Sequence, residues 1–132
     1  MATKSGQDVG ARVVHRRYVP YSDAHYAGNL VDGAYSLKLF GDVATEMCIV
    51  TDGDEGLFAS YSDVQFKEPV RAGDVLEIVC ELTKVGTRSR VLELSVLVVA
   101  RGNPTAEQPG ATDLLEPPLV ATTATGTVVV PA

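Results

Sequence analysis

The stretch from Leu30 to Ile49 constrains the fold of this chain most. Leu30, Val31, Ala34, Tyr35, Leu37, Leu39, Phe40, Val43, Ala44, Met47, Cys48 and Ile49 cover most of a helical circumference rather than one stripe. A helix apolar on nearly every side has to be buried, so the rest of the chain must supply a layer that covers it. Asn29 stands where an N-cap is expected, and Asp32 falls at the third helical position, where a carboxylate suits the helix dipole. The exceptions, Lys38, Asp42, Thr45 and Glu46, recur at three- and four-residue spacings and therefore share one edge. A polar edge on an otherwise buried helix is the first place to look for chemistry.

The covering layer follows in sequence. Arg12 to Tyr18 reads as a short strand before the helix, and Pro20 to Gly28 as a loop. Beyond Thr51 to Gly56 the pattern changes to segments rich in β-branched and aromatic residues: Leu57 to Val70, Asp74 to Val85, Ser89 to Ala100 and Leu119 to Val130. The links Arg71-Ala-Gly-Asp74 and Val85-Gly-Thr-Arg88 are short enough for antiparallel neighbours. Gly102 to Pro118, with four Pro and two Gly, reads as a long solvated loop. The expected class is α+β, a curved antiparallel β-sheet wrapped around one long central helix. With 132 residues and 45% hydrophobic content the chain suits one core. We therefore expect a flexible polar arm over residues 1–12 and a single domain over residues 13–132.

Several function classes lack a basis. A net charge of -6 repels nucleic acid, and no apolar stretch approaches the ~20 residues that span a bilayer. Met1 to Gly10 has no apolar run of a secretory signal, so a cytoplasmic location is expected. Cys48 lies between Met47 and Ile49 and Cys80 follows Ile78 and Val79, apolar settings in which buried free thiols are expected. His15 and His25 have neither the spacing nor the neighbours of a metal pair, so no metal is expected. No glycine-rich phosphate loop is present, so no cofactor is implied. Ser60, Ser62 and Ser89 lie outside any Gly-x-Ser-x-Gly elbow.

Two sets of motifs carry a resemblance to a known family. Ser62-Asp-Val-Gln-Phe-Lys-Glu-Pro-Val-Arg-Ala-Gly-Asp-Val75 and Lys84-Val-Gly-Thr-Arg-Ser-Arg90 resemble the strand, turn and hairpin of acyl-CoA enzymes with the hot-dog fold. Asp23-Ala-His-Tyr-Ala-Gly-Asn-Leu-Val-Asp-Gly-Ala34 and Leu39-Phe-Gly-Asp-Val-Ala-Thr-Glu46 are similar, within that superfamily, to the β-aminoacyl-CoA ammonia lyases. The second of these, with Asp54-Glu-Gly-Leu-Phe58, leans towards the 3-aminobutyryl-CoA enzymes of lysine degradation, ahead of those acting on β-alanyl-CoA. The likeness runs from about Val13 to Val130.

The resemblance implies a reversible elimination of ammonia from a 3-aminoacyl-CoA thioester, with acyl-CoA and ammonium as the partners. Such a reaction needs a base for the proton beside the carbonyl, donors for the enolate and a partner for the cationic amine. Glu46 is the leading base and Asp42 the amine partner, with the roles interchangeable; crowding the two in a buried setting would raise the pKa of one. Enolate stabilisation is expected at the start of the helix, where Gly28 and Gly33 let substrate approach the backbone and Asp23, His25 and Asn29 orient it. Arg88 and Arg90, with Ser89 between them, are expected to hold the coenzyme A phosphates; Arg71 and Lys67 are weaker alternates. The family pattern also implies a homodimer with the site between protomers and, beyond it, a hexamer as a trimer of dimers. Against these stand plainer readings. Asp42 and Lys38 form an ordinary helix pair, and the arginines a solvated hairpin tip. A hot-dog thioesterase and a non-catalytic acyl-CoA sensor are the rival functions.

Overall fold

The computed structural model describes residues 9–131. Besides two 3-10 turns, the described residues form five strands and one long helix: β1 (Arg12–Tyr18), α1 (Gly33–Asp52), β2 (Leu57–Phe66), β3 (Val75–Val85), β4 (Ser89–Gly102) and β5 (Thr112–Val129). The strands form one antiparallel sheet in the order β1-β3-β4-β5-β2. Alternate residues of a strand face one side. Leu76, Ile78, Cys80 and Leu82 of β3 and Leu92, Leu94, Val96 and Val98 of β4 accordingly turn inward onto Phe40, Val43 and Met47 of α1. This is the hot-dog arrangement that the sequence led us to expect, except that β2 pairs with β5 and not with β3, its neighbour across the short Arg71-Ala-Gly-Asp74 link.

The helix begins three residues later than expected. Leu30 and Val31 are spent on cross-links: the Leu30 carbonyl accepts the N–H groups of His25 and Tyr26, and Val31 donates to Val70. That pins both residues extended, so α1 starts at Gly33 with Asp32 as its N-cap. Asn29 sits instead in a 3-10 turn with a φ of 61°, its carbonyl accepting from Ala72. At the other end α1 runs on to Asp52 and stops at Gly53 in the left-handed conformation, where glycine carries no Cβ penalty.

Three further boundaries move. Gly10 donates to Leu82 and Ala11 accepts from it, so the sheet already engages residues placed in the polar arm; residues 1–8 lie outside the described residues. The expected long loop is only residues 103–111, because Thr112, Asp113 and Leu114 pair with the end of β4. Pro117 and Pro118, which argue against a strand, fall where the ladder jumps from Leu119 opposite Val98 to Leu114 opposite Ala100. Having no ladder partner, they lose no ladder bond. β2 ends at Phe66 rather than Val70.

Two buried ion pairs fix the ends of this frame. Asp74, wholly buried, accepts Arg101 Nε and Nη2 at 3.0 and 2.9 Å and the Arg71 N–H at 2.8 Å. Its carboxylate thus closes the Arg71-Ala-Gly-Asp74 turn. Asp52, at the last turn of α1, accepts Arg90 Nε at 3.1 Å and Nη2 at 2.8 Å.

Candidate active site

Side chains of β1 meet α1 at Glu46, on the polar edge, and at Tyr35 near the helix start. Val13, His15 and Arg17 alternate on one face of that strand, Val13 buried in the core and the other two reaching helix side chains. His15 Nε2 is 2.8 Å from Glu46 Oε1, and Arg17 Nε donates to the Tyr35 hydroxyl at 2.8 Å. Asp42 faces Lys38 at 4.0 Å, an exposed pair that contributes little to stability. The carboxylates of Asp42 and Glu46 are 58% and 52% exposed. The buried, mutually crowded pair expected from the sequence is therefore absent from a single chain, since Lys38, Asp42 and Glu46 project from the uncovered side of α1.

At the start of α1 a cleft of about 410 Å³ opens between the helix and the end of β2, lined by Asp32, Gly33, Ser36, Phe66, Lys67, Glu68 and Thr122 among others. The Asp32 side chain does not cap the helix, which leaves the first-turn N–H groups free of a side-chain cap. Gly33 lets the exposed Phe66 ring lie close to the helix. A Cβ on it would lie 2.8 Å from Phe66 Cε1, so a larger residue displaces that ring. Gly28 has a φ of 76° and open space around it, so its need is conformational.

The remaining residues expected at this end divide. Asp23 Oδ2 accepts the Tyr35 hydroxyl at 2.9 Å and Arg17 Nη2 at 3.1 Å, a three-residue knot joining the loop, α1 and β1. Burial raises the Tyr35 phenol above its ordinary pKa, Arg17 opposing and Asp23 reinforcing the shift. Tyr35 accordingly stays a hydroxyl donor to Asp23. His25 is exposed and stacks edge-on against Tyr26, and Asn29 serves the loop backbone as described above.

The expected phosphate grip is corrected by the structure. Arg90 is 2% exposed, and its guanidinium holds Asp52 and donates from Nη1 to the carbonyls of Gly86 and Ser89. It cannot reach a solvent-borne phosphate without breaking that network. Ser89 closes the hairpin turn by accepting the Gly86 N–H. Arg88 is exposed and among the described residues its side chain donates from Nε, to the Val130 carbonyl at 3.2 Å. β4 starts at Ser89, so Arg88 lies outside the strand and strand alternation does not place it on one face with Arg90.

Distance along the helix decides how these parts can cooperate. Glu46 lies thirteen residues beyond Gly33 on α1, a rise of about 20 Å. The acidic hydrogen and the carbonyl oxygen of a thioester belong to adjacent carbons. One chain therefore cannot present its own helix start and its own Glu46 to the same thioester.

Comparison with known proteins places the chain. Residues 28–102 match the model of the thioesterase superfamily. A 3-aminobutyryl-CoA ammonia lyase of Acetoanaerobium sticklandii is 50% identical over 111 residues, covering 83% of this chain and 86% of that protein. The chain belongs to the hot-dog β-aminoacyl-CoA ammonia lyase family. The solved β-alanyl-CoA:ammonia lyase of Clostridium propionicum superposes with a TM-score of 0.86 at 39% identity, over 92% of this chain and 86% of that one. A hexameric hotdog fold thioesterase of Campylobacter jejuni shares the fold, with a TM-score of 0.73 at 24% identity over 89% and 81% of the two chains.

In this ammonia lyase family member, sequence reasoning missed His15, the partner of Glu46, and the cleft residues Asp32, Ser36, Lys67, Glu68 and Thr122 as a group. Alternation along β1 carries a signal for His15, because Val13 fixes which face turns inward. For the cleft there was less to read. Thr122 donates to Ser36 at 3.3 Å across 86 positions of sequence, and no local pattern marks such a pair.

Proposed function

We propose that this chain catalyses the reversible elimination of ammonia from a 3-aminoacyl-CoA, with 3-aminobutyryl-CoA and crotonyl-CoA as the pair it interconverts. The observation that carries this reading is the 50% identity to a 3-aminobutyryl-CoA ammonia lyase over 83% of the chain. Glu46 takes the proton from C2, the C–H electrons form the C2–C3 double bond, and the C3–N bond breaks to release ammonia. Because the amine binds as a cation, ammonia departs neutral and the proton ends on the carboxylate. No redox or electrophilic cofactor is needed to balance the step. Asp42, one turn before Glu46, is the counter-charge for that cation, and the first-turn N–H groups at Gly33 receive the enolate oxygen.

The 20 Å rise between Gly33 and Glu46 favours a site built from the helix start of one copy and the carboxylates of another. A second copy would also supply the burial that Asp42 and Glu46 lack. The ten-residue edge strand β2, paired on one side only, is the surface we assign to that contact, since an unpaired edge is a template for strand addition. Assembly of such dimers into a hexamer accords with the named assembly of the Campylobacter jejuni thioesterase. For the coenzyme A phosphates, exposed Arg88 remains, with Lys67 at the cleft; Arg90 is withdrawn.

The test is to mix purified protein with crotonyl-CoA and ammonium and follow the enoyl thioester absorbance while assaying free thiol. Loss of absorbance with no thiol, and a product of 3-aminobutyryl-CoA mass, is expected. Release of thiol would instead make the chain a thioesterase, and activity only with acryloyl-CoA would shift the substrate to β-alanyl-CoA.

A further inference from the structure

His15 is one of two histidines in the chain and stands outside every motif read from the sequence. It lies on β1, an edge strand of the sheet, with its imidazole turned towards α1. Its Nε2 lies 2.8 Å from Glu46 Oε1. The carboxylate can only accept, so Nε2 carries the proton and donates. The other oxygen, Oε2, has no hydrogen-bond partner among the described residues. Glu46 is thus anchored by one oxygen and open at the other, although its side chain is 52% exposed and long enough to sample many rotamers.

We infer that His15 is the positioning residue for the catalytic base: it fixes Glu46 through Oε1 so that Oε2 faces C2 of the thioester. This rests on the reading of Glu46 as the base given above. The physical ground is that a freely rotating carboxylate spends most of its time away from the line of proton transfer, and a base oriented by a third group recurs in sites of this logic. A hydrogen bond to a charged acceptor is strong enough to select one rotamer. The anchor comes from a different element of the fold, so it holds whichever way the exposed helix edge is solvated. No proton needs to pass to His15, because Glu46 itself keeps the proton it removes.

The experiment uses the full chain with crotonyl-CoA and ammonium, comparing wild type, His15→Leu, His15→Gln, Glu46→Gln and the His15→Leu/Glu46→Gln double variant below the melting temperature of each. His15→Leu should lower kcat about tenfold or more with KM for crotonyl-CoA nearly unchanged. His15→Gln, whose amide N–H stands where Nε2–H was, should recover to within about threefold of wild type. In the Glu46→Gln background, His15→Leu should have no further effect, since a residue acting only through Glu46 has nothing left to position. An unchanged kcat in His15→Leu, equal losses in the Leu and Gln variants, or a full additional loss in the double variant would each overturn the inference while leaving the lyase reading intact. A wild-type protein that does not add ammonia at all would overturn the lyase reading, and this inference with it.

Discussion

Charged side chains in this molecule do two kinds of work, and sequence pattern alone did not separate them. Asp42 and Glu46 read correctly as one edge of α1, yet their exposure depends on what covers that edge, which helical periodicity does not reveal. Arg90 was misread for a related reason. A hairpin arginine resembles a phosphate ligand in sequence, but its partner Asp52 lies 38 positions away at the end of α1. Arg90→Ala should therefore act on stability: removing one member of a buried ion pair costs about 3–5 kcal/mol, read as a lower urea midpoint. If that variant keeps its midpoint while KM for the acyl-CoA rises, the phosphate role returns.

At the scale of elements, type and order were legible and ends were not. β1 falls on the expected residues, Arg12–Tyr18, because the adjacent β-branched Val13 and Val14 and the following loop of turn formers both mark it. The start of α1 was misplaced since Asn29 and Leu30 look like a cap and a first turn, whereas Asn29 and Val31 bond through their backbones to Ala72 and Val70, and the Leu30 carbonyl turns back to His25 and Tyr26. Long-range hydrogen bonds of that kind override local propensity. The Pro-rich start of β5 was missed because its prolines sit in a ladder gap. One glycine illustrates how tightly the elements meet: Gly56, entering β2 with a φ of 65°, would bring a Cβ to 2.9 Å from Cys48 Sγ and 3.0 Å from the Val129 carbonyl. Gly56→Ala should cost roughly 1–3 kcal/mol, and a melting temperature equal to wild type would contradict this packing.

For the whole molecule, the hot-dog frame was readable from a buried helix followed by long strands, while the site was only half readable because one chain holds only half of it. Two variants test the shared site. Glu46→Gln and Gly33→Val should each keep only a small residual rate alone, yet regain about a quarter of wild-type activity when co-assembled, as random pairing in a two-fold dimer gives one intact site in half the dimers. No recovery in demonstrably mixed dimers would mean that each chain carries a whole site. The core makes a separate prediction. Burial pushes Cys48 from its ordinary value near 9 up to about 11, and Cys80 up to about 12. Below pH 9 both folded and unfolded thiols stay protonated. As pH rises further the unfolded chain ionises first, so stability falls from about pH 9 until the folded thiols titrate. A Cys48→Ala/Cys80→Ala variant should lose part of that decline, and an identical pH slope would show that the thiols do not contribute to it.

The most direct test of a helix carboxylate removing the C2 proton is to run crotonyl-CoA with ammonium in deuterium oxide and take early product masses after exchange of the amine back to protium. A 3-aminobutyryl-CoA carrying one carbon-bound deuterium, formed by wild type and only at a small residual rate by Glu46→Gln, is the predicted result. Free coenzyme A with no amine product, or undiminished deuterated product from Glu46→Gln, would contradict it.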